Sequence, residues 1–197
     1  MEPKTTWTIV GVAAAFSVVM AVLLLSGNES DGQAGDLPGL QETEAPWQPE
    51  YAGLAKRIQT LGLPSPGTEK FHVHQRLKVY VDGREVTVPA NIAFNQQARL
   101  AAALHTHNTD GIVHMEADQP FAAKLGDFFT MWGVKFTADQ LGSYRAEGDK
   151  TVQVFVNGQA VTDGPGYALK AKDQIVVGYG APGSFPTTIA EPFPADL

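Results

Sequence analysis

Residues 71–83 have the sequence FHVHQRLKVYVDG, and this stretch decides which fold the chain can adopt. Apolar side chains occupy every second position from Phe71 to Val81, with Gln75 as the exception. Because successive side chains of a strand point to opposite faces, this alternation predicts a half-buried β-strand. Asp82-Gly83 then predicts a tight hairpin turn into a second strand at residues 85–88.

Similar signals along the rest of the domain predict further hairpins and short helices. Strands are expected at residues 104–107, 112–116, 152–156, 160–162 and 173–179, and helices at 51–61, 122–132 and, from a Thr137 cap, 137–141. This mixture predicts an α+β fold with a mainly antiparallel sheet of β-hairpins and short helices. The order of elements after residue 152 also resembles a β-grasp ending.

An apolar segment precedes the domain. Residues 7–26 contain no charged side chain, and about 20 apolar residues in a helix cross the hydrocarbon core of a bilayer. Lys4 lies before the segment and only acids follow it closely, which predicts a cytoplasmic N-terminus at residues 1–6. We therefore expect a single-pass signal anchor in the cell membrane with an extracytoplasmic C-terminal domain. A cleaved signal peptide is the alternative, but the apolar run is long for one and no clear A-x-A cleavage site follows it.

Composition divides the remaining chain into three parts. Residues 27–50 carry six acids, no basic residue and three prolines, which predicts a disordered acidic linker. Residues 51–180 carry the periodic patterns and form the expected extracytoplasmic domain. Residues 181–197 contain four prolines and are expected to form an irregular, Pro-rich tail.

Charge and cysteine content exclude several functions. The net charge of −7 argues against a nucleic-acid partner and against anionic lipid headgroups, since both require a basic surface. The absence of cysteine excludes disulfides, thiolate zinc sites, Fe–S clusters and cysteine nucleophiles. Any bound metal must therefore use imidazole, carboxylate, thioether or backbone ligands.

All five histidines of the chain lie between residues 72 and 114. Four of them form two pairs, His72 with His74 and His105 with His107. Each pair has the spacing i, i+2, which places both imidazoles on one face of a strand. The fifth histidine follows a predicted turn at residues 108–111. Neutral imidazole binds zinc and copper well. The sequence therefore predicts one zinc or copper site whose ligands are His72, His74, His105, His107 and His114.

Two nearby acids are candidates for supporting roles at this site. Asp110 and Glu116 could bind the metal or orient the imidazoles as hydrogen-bond acceptors. Glu116 shares strand parity with His114, whereas Met115 has the opposite parity and is expected in the core.

Several motifs of this chain also occur in a known group of proteins. The residues concerned are HVHxxLxVYVDG at 72–83, VPA at 88–90, LHTHN at 104–108, GIVHME at 111–116 and FFxxWG at 128–133. Over roughly residues 54–180 the chain resembles an uncharacterised group of secreted or membrane-anchored microbial proteins. That group usually has Asp where this chain has Asn108. The resemblance implies a shared histidine site and no particular activity.

Three functions fit these patterns. The first is copper or zinc handling at the cell surface. The second is a zinc- or copper-dependent enzyme of hydrolase or hydratase type that uses three histidine ligands. In such an enzyme the other two histidines would transfer protons, or the five would bind two adjacent ions. The third is a non-metal envelope interaction module. For the histidines themselves, the alternative to metal binding is a hydrogen-bonded or pH-sensing network. The sequence assigns no catalytic residue, no organic cofactor and no protein partner.

Overall fold

The computed structural model describes residues 37–67, 70–195 and 197. These residues contain one seven-stranded β-sheet, two two-stranded sheets and two short helices. None of the helices in these ranges is both long and apolar enough to cross a bilayer. The predicted cytoplasmic residues 1–6 and the predicted anchor at residues 7–26 lie outside the described residues.

The helices and strands have the following bounds. The helices are α1 (Leu54–Leu61) and α2 (Leu125–Trp132). The strands are β1 (Phe71–Val81), β2 (Arg84–Val86), β3 (Phe94–Asn95), β4 (Leu100–Ala101), β5 (Leu104–His105), β6 (Ile112–Ala117), β7 (Gln140–Leu141), β8 (Tyr144–Arg145), β9 (Thr151–Val156), β10 (Gln159–Val161) and β11 (Gln174–Gly180).

The main sheet has the strand order β10-β9-β11-β1-β6-β5, and β2 pairs with β1. The pairing of β1 with β11 is parallel, and the other pairs in this sheet are antiparallel. The predicted α+β class with a mainly antiparallel sheet is therefore confirmed. The likeness to a β-grasp ending stays a prediction.

Helix α2 supplies the centre of the core. Phe128, Phe129, Met131 and Trp132 are fully buried. The helix begins three residues later than the predicted 122, because the Asp127 carboxylate accepts a 2.7 Å hydrogen bond from the backbone N–H of residue 124 and caps the first turn there. It ends, as predicted, at Gly133, whose φ of 82° permits the left-handed cap.

The prediction of a disordered linker over residues 27–50 is wrong for residues 41–50. Trp47 is only 1% exposed, and its ring packs edge-to-face on Trp132 with 6.0 Å between centroids. Gln41 bridges to Val134, and Glu50 forms an ion pair with the fully buried Arg57. A single tryptophan contributes little to average composition but buries a large apolar area. The domain therefore begins before residue 51.

The tail after residue 180 is also part of the domain. It contains no helix or strand over residues 181–195, as predicted. However, the buried Phe185 ring stacks on Tyr80 with 5.9 Å between centroids. The Arg76 guanidinium donates to the carbonyl oxygens of Glu191 and Pro192 at 3.1 and 2.8 Å. The boundary predicted at residue 180 is therefore too early.

The local structure differs from the sequence-based expectation in the following places. The helix predicted at residues 137–141 is wrong, since β7 and β8 form a hairpin around Gly142, which has a φ of +58°. The strand predicted at residues 104–107 ends at His105. The β3–β4 hairpin was not predicted, because its apolar residues do not alternate.

Gly111 fixes the turn before β6, where the backbone passes close to Leu77 of β1. Its φ is +77°, and a Cβ here would collide with the carbonyl oxygen of Leu77. We expect Gly111→Ala to lower the free energy of unfolding by about 3 kcal/mol, because strain at positive φ adds to the collision. Gly148→Ala is the matched control, since Gly148 has φ +62° and open space around it. Urea denaturation that gave equal losses for the two variants would contradict the close approach at Gly111.

Candidate metal centre

Three neighbouring strands position four of the five histidines on one face of the sheet, and His107 follows the end of β5. In the register of β1 with β6, His74 lies opposite His114 and His72 lies opposite Glu116. In the register of β5 with β6, His105 lies opposite His114. Directly opposed residues of antiparallel strands place their side chains on the same face. His114 is therefore at the centre of the cluster.

His105 and His107 form one side of the cluster. Their Nε2 atoms lie 3.1 Å apart, and the Glu116 carboxylate lies 3.6 Å from His105 through Oε2 and 3.9 Å from His107 through Oε1. The Nδ1 atom of His105 lies 2.9 Å from the carbonyl oxygen of Ala102. A carbonyl only accepts hydrogen bonds, so Nδ1 carries the proton and the lone pair on Nε2 faces the cluster.

His72, His74 and His114 form the other side. The Oε1 atom of Glu116 lies 2.7 Å from His72 Nε2 and 3.0 Å from His114 Nδ1. These two nitrogen atoms are 3.3 Å apart. The ring of His74 lies 4.4 Å from that of His72 and 4.5 Å from that of His114, measured between centroids.

The spacing of these atoms fits a metal ion. In one group, single ligand atoms of His105, His107, His114 and Glu116 all lie within 4.8 Å of one another, and the same holds for His72, His74 and His114. Ligand atoms about 2.0–2.1 Å from a tetrahedral zinc ion are about 3.3 Å apart. The chain therefore carries histidine–glutamate groups that could hold a metal ion.

Burial keeps the central histidines neutral. His105 is 1% exposed, and its burial lowers its pKa to about 4 although the Glu116 carboxylate opposes the shift. Burial also lowers the pKa of His114 to about 3, and His74, His107 and His72 lower it further by repelling a second positive charge. Imidazole binds metals in its neutral form. Both rings are therefore in the metal-binding form at neutral pH.

Solvent reaches the cluster from two sides. The side chains of His72 and His107 are 35% and 39% exposed, whereas the side chain of Glu116 is 6% exposed. A bound ion would thus lie between buried ligands and two ligands at the surface.

The two acids considered from sequence have different positions. Asp110 is exposed, and its Oδ1 accepts a 2.9 Å hydrogen bond from the N–H of Ile112. It shapes the turn and belongs to neither group of ligand atoms. Glu116 lies among the histidines, and its Oε1 is as close to His72 and His114 as the nitrogen atoms of these two imidazoles are to each other. Met115 is buried, and its sulfur accepts a hydrogen bond from Gln75, which agrees with the core position predicted for it.

Phe94 is a part of the site that the sequence did not indicate. Its ring stacks on His105, with 5.6 Å between centroids and an interplanar angle of 27°. It also meets His107 edge-on at 5.3 Å. Phe94 lies on the unpredicted β3–β4 hairpin, so no pattern placed it beside the histidines.

Comparisons of the chain with protein-family models, with curated proteins and with solved structures found no match.

Proposed function

We propose that the histidine–glutamate cluster binds a transition-metal ion, zinc or copper, and that the protein handles this ion at the outer side of a membrane. The observation that carries the proposal is the convergence of the ligand atoms of five histidines and one glutamate in two groups, each within 4.8 Å, that share His114. Imidazole nitrogen with carboxylate oxygen is a donor set that suits both metals.

The contacts around Glu116 Oε1 fit a bound cation and also a hydrogen-bonded network. His72 Nε2, His114 Nδ1 and this oxygen form a triangle with sides of 2.7, 3.0 and 3.3 Å. The two N···O sides have hydrogen-bond lengths, since one carboxylate oxygen can accept from both imidazoles. The N···N side has the separation expected for two neighbouring ligands on one zinc ion.

A zinc- or copper-dependent hydrolase or hydratase is the second candidate. The exposed edges of His72 and His107 favour it, because a catalytic ion needs a coordination position open to water. The metal-loaded protein should then hydrolyse an activated ester or hydrate carbon dioxide faster than the same protein treated with a chelator. Equal rates would leave metal handling as the function.

The membrane location rests on the predicted anchor at residues 7–26 and on the acids that follow it. We expect protease added to intact cells or spheroplasts to digest the domain. We also expect activity from a reporter enzyme that works only outside the cytoplasm when it is fused after residue 197. Protection of the domain from added protease would contradict this orientation.

The Glu116 carboxylate provides a direct test of metal binding. Glu116→Gln keeps the shape of the side chain and removes its charge, so we expect metal affinity to fall by about 10–100-fold. Competition with a chromophoric chelator measures this change. Glu85→Gln is the control. Glu85 is an exposed acid of β2, and it pairs with Lys78, which lies further along β1 than the two histidines of that strand. Unchanged affinity in Glu116→Gln, with normal folding, would contradict a carboxylate ligand.

A further inference from the structure

We infer that the cluster holds two metal ions, with Glu116 as a bridging carboxylate and with His72, His74 and His114 forming a second ion site beside the first. The inference rests on the proposed function and deepens it, since it sets the number of ions and the class of ligand that the site can take.

The two oxygens of Glu116 differ in their nearest histidines. Oε1 is 2.7 Å from His72 Nε2, 3.0 Å from His114 Nδ1 and 3.9 Å from His107 Nε2. Oε2 is the oxygen nearer to His105 Nε2, at 3.6 Å. A carboxylate placed between two sets of imidazoles can bind one ion through each oxygen, as in sites where two metal ions lie about 3.5–4 Å apart.

The number of ligands also exceeds what one ion uses. A structural zinc ion takes four protein ligands, whereas five imidazoles and one carboxylate converge here. If two ions share these ligands, His105 and His107 bind the first ion, and His72 and His74 bind the second. His114 belongs to both groups, and its Nδ1 atom lies on the His72 side.

The charge balance indicates a third kind of ligand. Glu116 is the sole acid in the two groups, and one carboxylate cannot neutralise two divalent cations. The bound pair would therefore attract a small anion, such as hydroxide or an oxyanion, into the positions left open. The exposed edges of His72 and His107 flank the path by which it would enter.

Metal titration of the full-length chain in detergent tests the inference with Zn²⁺ and Cu²⁺ as probes. We expect two equivalents to bind to the wild type and one equivalent to bind to either His72→Ala/His74→Ala or His105→Ala/His107→Ala. The single variant His72→Ala gives the same test with less risk to folding, since this side chain is partly exposed. Far-UV circular dichroism confirms that each variant is folded.

Electron paramagnetic resonance of the copper-loaded protein tests the bridge. We expect the second equivalent of Cu²⁺ to broaden the signal or reduce its intensity per copper, because two close spins couple. Glu116→Gln should weaken this coupling. Two equivalents without coupling would contradict the bridge.

The outcomes separate the inference from the proposed function. One equivalent in the wild type, lost when either histidine pair is removed, would overturn the two-ion inference and leave metal binding intact. No binding in a folded wild-type chain would overturn both.

Discussion

Replacing His114 by alanine is expected to remove most of the affinity of the cluster for zinc and copper. His114 is the residue that both groups of ligand atoms share, and it lies opposite both His74 and His105 in the sheet. We expect the dissociation constant to rise by about 100-fold or more, which corresponds to about 2.7 kcal/mol. Competition titration against a chelator of known affinity measures the change.

His107→Ala is the matched comparison. His107 belongs to one group only and is partly exposed, so its loss should weaken binding less than the loss of His114. Metal-dependent stability gives a second measurement, because metal at 100 times its dissociation constant raises the free energy of unfolding by about 2.7 kcal/mol. His114→Ala should lose this gain. If it binds metal as tightly as the wild type, His114 is not at the centre of the site.

Replacing Trp47 by alanine is expected to lower the free energy of unfolding by about 3–5 kcal/mol. The side chain is buried against Trp132 and Tyr144, and its Nε1 donates a 2.9 Å hydrogen bond to the carbonyl oxygen of Thr43. Its removal leaves a large cavity and breaks this hydrogen bond. Urea denaturation of the metal-free protein measures the loss.

The neighbouring Gln48 is the control for Trp47, because its side chain is exposed and Gln48→Ala should change stability by less than about 0.5 kcal/mol. If Trp47→Ala lowered the free energy of unfolding as little as Gln48→Ala, residues 41–50 would behave as the linker that their composition suggested. The expected large loss also means that a fragment starting at residue 51 would be much less stable than the full chain.

The sequence predicted those elements whose signals are local. The alternation in residues 71–81 and the Asp82-Gly83 turn predicted β1 and its hairpin, and both occur. The Trp47 and Phe185 contacts were missed because each is a single aromatic side chain in a segment rich in prolines and polar residues. Their packing depends on surfaces formed by distant parts of the chain.

For the site, strand parity predicted which side chains share a face, but it could not predict the order of strands. His72 and His74 lie near His105 and His107 only because β6 pairs with both β1 and β5, and such non-local pairing leaves no local signal. The same limit applies to the acids. Both Asp110 and Glu116 were candidates from the sequence. In the structure Asp110 shapes the turn before β6, and the strand register places Glu116 opposite His72.

The most direct measurement of the central claim is the metal content of the full-length protein, purified in detergent after incubation with zinc or copper and then dialysed. We expect the wild type to retain at least one equivalent of metal per chain by elemental analysis. The folded His105→Ala/His107→Ala variant should retain clearly less. A wild type without bound metal, or equal metal content in wild type and variant, would contradict a metal centre in this cluster.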